Sequence, residues 1–217
     1  MRTPRDIYKE YKLVPALQLH QLRVAAVGKA VCEYYKGNVN EHDVVLACLF
    51  HDTGNIIKSD LATFPEFLEP EGRDYWQRVK DEFIKKYGPN EHIATMSIAK
   101  EIGLPPAVNG YIEGVGFSQL EATRDSSSYE QKIIEYADLR VGPFGVLLLG
   151  ERIEEARVRY VGRHTDMPAG HERFAALIRS AHEIEHQLFS SADIAPEDIN
   201  DVFIAPRIEE LWEYPVS

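Results

Sequence analysis

The sequence predicts an all-α fold, a compact helical bundle with added C-terminal helices. Three observations predict it. Apolar residues such as Leu19, Leu22, Val24, Ala26, Val27, Ala30 and Val31 recur at helical spacing, the pattern of an amphipathic helix. The run Val44-Val45-Leu46-Ala47-Cys48-Leu49-Phe50 is continuous rather than alternating and is stopped by Gly54, which reads as a buried helix. No stretch shows convincing strand periodicity, and Asn, Pro and Gly punctuate the periodic segments where helices begin and end.

Taken in order, residues 6–14 predict a short amphipathic helix that Pro15 interrupts. Residues 16–35 form a longer one, ended by Lys36-Gly37-Asn38. Asn40 caps the next, which runs through the apolar stretch to His51-Asp52. Residues 56–72 carry Pro65, Pro70 and several aromatics, and are expected to be irregular with at most one helical turn. Residues 74–87 form a charged amphipathic helix stopped by Gly88-Pro89, and Asn90 caps another that reaches Gly103. Pro105-Pro106 opens a short helix to about Val115. A polar loop at 124–128 precedes a helix over 129–141, broken by Pro143 and Gly145. Helices follow over 146–161 and 172–189 with a loop at 164–170 between them, and Pro196 starts the last short ones.

The totals narrow the function. With 44% hydrophobic residues the 217-residue chain can bury a real core. A net charge of -11 repels phosphate backbones, which makes duplex nucleic acid a poor partner. A small phosphorylated substrate is compatible if a local cation offsets the field. Cys32 and Cys48 both fall in apolar helical contexts and read as core residues rather than a disulfide or a zinc clip. Nothing at the start resembles a signal peptide and no run is long enough to span a membrane, so a cytoplasmic protein without a membrane partner is expected. Homo-oligomerisation is left open.

His51-Asp52 is the most informative dipeptide. An imidazole and a carboxylate at the last turn of a buried helix are costly unless paired or bound to a cation. Two further ligand-type residues lie beside apolar helical stripes, His20 and Asp138. Three helices then supply two imidazoles and two carboxylates, a mixed set suited to one divalent ion such as Mn, Co, Fe, Mg or Zn. His42-Asp43 is a control in the same chain. It sits at a helix start beside Asn40 and Glu41 with no apolar run before it, and reads as a solvated pair whose Asp favours the positive helix end. Arg23, three positions after His20, shares its helix face and has the geometry to grip a phosphate bidentately. Lys58 follows His51-Asp52 closely enough to reach the same pocket.

The order His20, His51-Asp52, Asp138, with flanks His20-Gln21-Leu22-Arg23-Val24, Ala47-Cys48-Leu49-Phe50-His51-Asp52-Thr53-Gly54 and Tyr136-Ala137-Asp138, resembles the HD-domain superfamily of metal-dependent phosphohydrolases over residues 16–141. The resemblance implies an HD-type bundle around one metal, with His20, His51, Asp52 and Asp138 as ligands and Asp52 also catalytic. It adds His92, which in relatives touches the phosphate or helps hold a second metal. The implied division is an HD-type metal-binding unit at 1–161 and a C-terminal helical extension at 162–217 packed on the same core.

Two features depart from the family pattern. The stretch Gly110-Tyr111-Ile112-Glu113-Gly114-Val115-Gly116-Phe117 holds no His, which argues for one metal and against the two-iron oxygenase relatives. The Glu that one nucleotidase branch carries soon after its His-Asp is missing here, where Thr53, Gly54 and Asn55 follow, so Glu91, His92 and Glu113 are the candidate general acids. The expected activity is hydrolysis of a phosphate ester of a nucleotide or similar small metabolite, with Arg23, Lys58 and His92 on the substrate side. The alternative is a non-catalytic metal- or ligand-binding HD domain. A remote alternative comes from His182-Glu183-Ile184-Glu185-His186, which fits the H-E-x-x-H zinc-protease pattern but carries Glu185 where an uncharged residue is usual.

Overall fold

The computed structural model describes residues 2–161 and 168–216. Among the described residues eleven α-helices make the architecture: α1 (Pro4–Glu10), α2 (Pro15–Tyr34), α3 (Glu41–Phe50), α4 (Arg73–Tyr87), α5 (Glu91–Ile102), α6 (Pro106–Gly114), α7 (Leu120–Asp125), α8 (Tyr129–Arg140), α9 (Leu149–Val161), α10 (Pro168–Phe189) and α11 (Asp201–Leu211). Among the described residues there is no strand, only the isolated bridges Tyr35–Ala192 and Val141–Val146.

The long helix α2 is the centre. It packs against α3, α8 and α11. Its inward positions are small or β-branched, with Val24, Ala25, Ala26, Val27, Ala30 and Val31 all buried. Small side chains let the neighbours come close. A Cβ on Gly28 would lie 3.0 Å from the Cys48 sulfur of α3. The whole run Val44 to Phe50 of α3 is buried, as a continuous apolar helix demands. Cys32 and Cys48 are both free and buried, as the sequence implied. Helices α10 and α11 lie on the same core, through Leu177, Ala181, Ile184, Leu188, Ile204 and Leu211.

Local chemistry explains where boundaries differ from the sequence reading. Thr3 starts α1 with a reciprocal capping box to Asp6, and Pro4 occupies the first turn, so the helix lies earlier than 6–14. Pro15 does not interrupt a helix; it opens α2, where its missing N–H costs nothing. Asn40, Asn90 and Ser128 cap α3, α5 and α8 by accepting from Asp43, Ile93 and Gln131 backbone N–H groups. Residues 56–72 are irregular with single 3-10 turns at Asn55–Ile57 and Pro65–Leu68. Helix α7 was not expected; it claims Arg124 and Asp125 from the predicted loop. Helix α9 begins three residues later than expected, because the backbone N–H of Val146 is held by Asp201 at 3.1 Å and the chain turns back through the Val141–Val146 bridge. The loop expected at 164–170 lies outside the described residues up to 167, and from Pro168 the chain is already helical.

Candidate metal centre

The three last-turn carbonyls of α3 explain how His51 is set. A helix end leaves such groups without intrahelical donors. Here the side chains of Tyr8, Thr53 and His51 serve them. Tyr8 donates to the Leu49 carbonyl at 2.8 Å and Thr53 to Phe50 at 3.2 Å. His51 Nδ1 lies 2.9 Å from the Cys48 carbonyl. A carbonyl only accepts, so that nitrogen carries the proton and Nε2 is left to face the site.

What Nε2 faces is a carboxylate. His51 Nε2 is 3.3 Å from Asp138 Oδ1 and 3.7 Å from Asp52 Oδ2. His20 Nε2, from the middle of α2, is 3.2 Å from the same Asp138 oxygen and 3.8 Å from the same Asp52 oxygen. Two ring nitrogens and two carboxylate oxygens therefore converge from α2, the end of α3 and α8. One donor atom each of His20, His51 and Asp52 falls within 4.8 Å of the other two, a set that can hold a divalent cation. Bare ring nitrogens set against anionic oxygens repel unless a proton or a cation stands between them. The same demand shows in the titration. Burial lowers the basicity of His51, but Asp52 and Asp138 outweigh it and raise its pKa to about 9. Burial would raise Asp138, yet His51 and His20 hold its carboxyl well below the ordinary range. The donor set of His20, His51 and Asp52 fits a metal.

The cluster opens into a cavity of about 780 Å3. Lys58 and His92 line it, both exposed, and Lys58 Nζ is 3.6 Å from Glu91 Oε1. Gly54 fixes this side. Its N–H donates to Thr95 at 2.9 Å, and a Cβ there would sit 2.3 Å from the Glu91 carbonyl. The end of α3 and the start of α5 thus touch through backbone, which sets His92 relative to the cluster.

Arg23 is a correction. It does not line the cavity; its Nε lies 3.5 Å from Asp201 of α11. Three residues advance a helix by less than a full turn, and that small rotation is enough to face α11. Glu113 is exposed and also outside the lining, whereas Glu91 is inside it. On α10, His182, Glu183 and His186 are exposed around a shallow depression, and Glu183 Oε2 pairs with Arg124 Nε at 3.4 Å. The apolar face of α10 turns inward through Leu177, Ala181, Ile184 and Leu188, which leaves this H-E-x-x-H on the wet side and counts against a protease centre.

Helix α8 also buries the ionisable residues Lys132, Glu135 and Arg140. Glu135, one turn before Asp138, accepts from the Gly116 N–H at 2.9 Å, and burial pushes its pKa up to about 7. Arg140 is sealed in the core. It donates to the Leu147 carbonyl and the Tyr136 hydroxyl, to Pro196 at 3.1 Å and to Ile199 at 2.9 Å. A lone Glu and a lone Arg flanking an apolar helical run were the available signals.

Fold and cluster define a class: an α-helical protein with a mixed imidazole–carboxylate cluster between its helices that can hold a divalent ion. Within that class the chain matches the family described as HD domain over residues 18–138, more than half its length, and it belongs to that family. No curated protein and no solved structure matches it.

Proposed function

We propose that this chain is a metal-dependent phosphohydrolase acting on a small phosphate ester, with one divalent ion held by His20, His51, Asp52 and Asp138. The observation that carries the reading is the convergence of both Nε2 atoms on one Asp138 oxygen, at 3.2 and 3.3 Å, at the edge of a large cavity. When bound, such an ion offsets phosphoryl charge and makes water acidic enough to attack phosphorus.

The protein groups do the rest. The Nδ1 hydrogen bond of His51 fixes its ring so that Nε2 stays turned to the ion. Asp52, half-buried at the cavity edge, orients the attacking water and takes its proton. Lys58 draws the anionic ester into an otherwise acidic protein. His92 hands a proton to the ester oxygen that leaves as the P–O bond breaks.

The test is direct. Purified protein titrated with Mn, Co, Fe, Mg and Zn is expected to bind one equivalent and then release inorganic phosphate from a panel of phosphate esters. H51A and D52A should lose both metal and turnover while keeping their helical circular dichroism. Stoichiometric metal with no turnover on any ester would move the protein to the non-catalytic class.

A further inference from the structure

We infer that the ester group carried by the phosphate is apolar, an alkyl or aryl chain rather than a nucleoside, and that Phe64, Phe67 and Phe117 form its binding wall. The inference rests on the phosphohydrolase reading and adds the substrate class.

The cavity lining is of two chemical kinds. One is the His–Asp cluster with Lys58 and His92. The other is apolar, with Leu61, Phe64, Phe67, Leu68, Phe117 and Phe174. Cavities of about 300–1,000 Å3 take drug-sized ligands, so about 780 Å3 leaves most of the space to whatever the phosphate carries. The rings are arranged before any ligand arrives. Phe64 stacks on Phe67 with centroids 4.9 Å apart, Phe144 meets both at 5.7 and 5.4 Å, and Phe117 lies 5.4 Å from Phe174. Rings already packed against each other lose little freedom when an apolar chain lies on them.

A nucleobase needs donors and acceptors along its edge, and a site that reads one must present them. Four polar side chains on this lining have partners of their own. Ser59 donates to the Asn55 carbonyl at 2.8 Å. Asp60 accepts from Ala62 and Thr63, both at 3.0 Å. Arg152 donates to the Val141 carbonyl and to Glu155, both at 2.9 Å. Arg157 grips Glu154 with two N–H groups, at 2.8 and 2.7 Å. A base would have to share these already partnered groups, whereas an alkyl or phenyl group would only displace water from phenylalanine faces.

The experiment uses the Mn-loaded full chain with n-alkyl phosphates from methyl to octyl, phenyl phosphate and the nucleoside 5′-monophosphates, and in parallel the binding of the matching alkylphosphonates, which cannot be hydrolysed. Each added methylene is expected to raise kcat/KM and phosphonate affinity about three- to fourfold, through KM rather than kcat, with hexyl and phenyl phosphate ahead of every nucleotide. F67S and F117S should still bind one Mn and should flatten the chain-length series. Turnover with no chain-length dependence, or with nucleotides preferred, overturns the apolar wall and leaves the phosphohydrolase reading standing. A chain-length series in phosphonate binding without any turnover does the reverse. Neither turnover nor a binding series sinks both.

Discussion

The two ends of α3 carry the same dipeptide and do opposite things with it. At the start, His42 is exposed, with its Nδ1 2.9 Å from the Tyr214 hydroxyl and its ring stacked on that phenol at 5.5 Å. The neighbouring Asp43 lends its backbone N–H to the Asn40 cap. At the end, seven successive buried residues drive His51 into the core, where its ring bonds its own helix and meets carboxylates of two elements. A His-Asp pair therefore says little by itself. What decides is whether the helix before it has paid the desolvation that makes a cation welcome.

The comparison can be broken most sharply by substitution at each end. H51A and D52A should lower turnover on the order of a thousandfold, as phosphate release would measure, and should remove the bound ion; H42A and D43A should do neither. An unaffected H51A would erase the distinction.

Glycines flank the two ends and give the next largest contrast. At Gly54 a Cβ meets backbone, Glu91 O at 2.3 Å and Thr95 N at 2.8 Å. G54A should cost about 3 kcal/mol, a fall in Tm of about 6–12 °C by calorimetry. At Gly37 the Cβ meets only the Tyr35 ring, a side chain that can give way at the expense of its stacking on Tyr129, so G37A should cost less, about 1 kcal/mol.

Acidity separates the ends further. In the metal-free protein His51 has its pKa raised from 6.5 to about 9. The proton on His51 therefore stabilises the fold fully below about pH 6.5, and that contribution disappears as pH climbs through about 9. Asp138, held low, works the other way: its contribution is present above its ordinary value of 3.8 and is lost in stronger acid. An incoming cation has to displace the His51 proton. Metal affinity should rise about tenfold per pH unit until about pH 9 and then level off, as titration calorimetry in two buffers would show. The smallest effect belongs to the surface end: H42A, losing one exposed stacking contact, should change stability by less than about 1 kcal/mol in a urea melt.

Much of this was legible in the residues. Continuous burial of α3 follows from its apolar run, and the caps at Asn40 and Asn90 follow from side-chain chemistry that acts within three residues. The grouping of His20, His51, Asp52 and Asp138 was legible through the HD-domain resemblance in their order and flanks, since His20 by its own setting gave no such signal. Arg23 was misplaced. The small rotation between positions 20 and 23 turns it toward α11, and Asp201, the neighbour it meets there, lies far along the chain. Helix α7 was missed because its short, polar segment is helical against α8 and α10 rather than by its own pattern.

The guanidinium of Arg140 has a consequence for anyone who would trim this protein. It sits two residues past Asp138 and is held by carbonyls at 196 and 199, so the tail furnishes the oxygen cage for a cation beside the ion-binding helix. Cutting the polypeptide after residue 161 would strand that positive charge in an oily wall. The shortened product should misfold or aggregate rather than survive as a smaller working version.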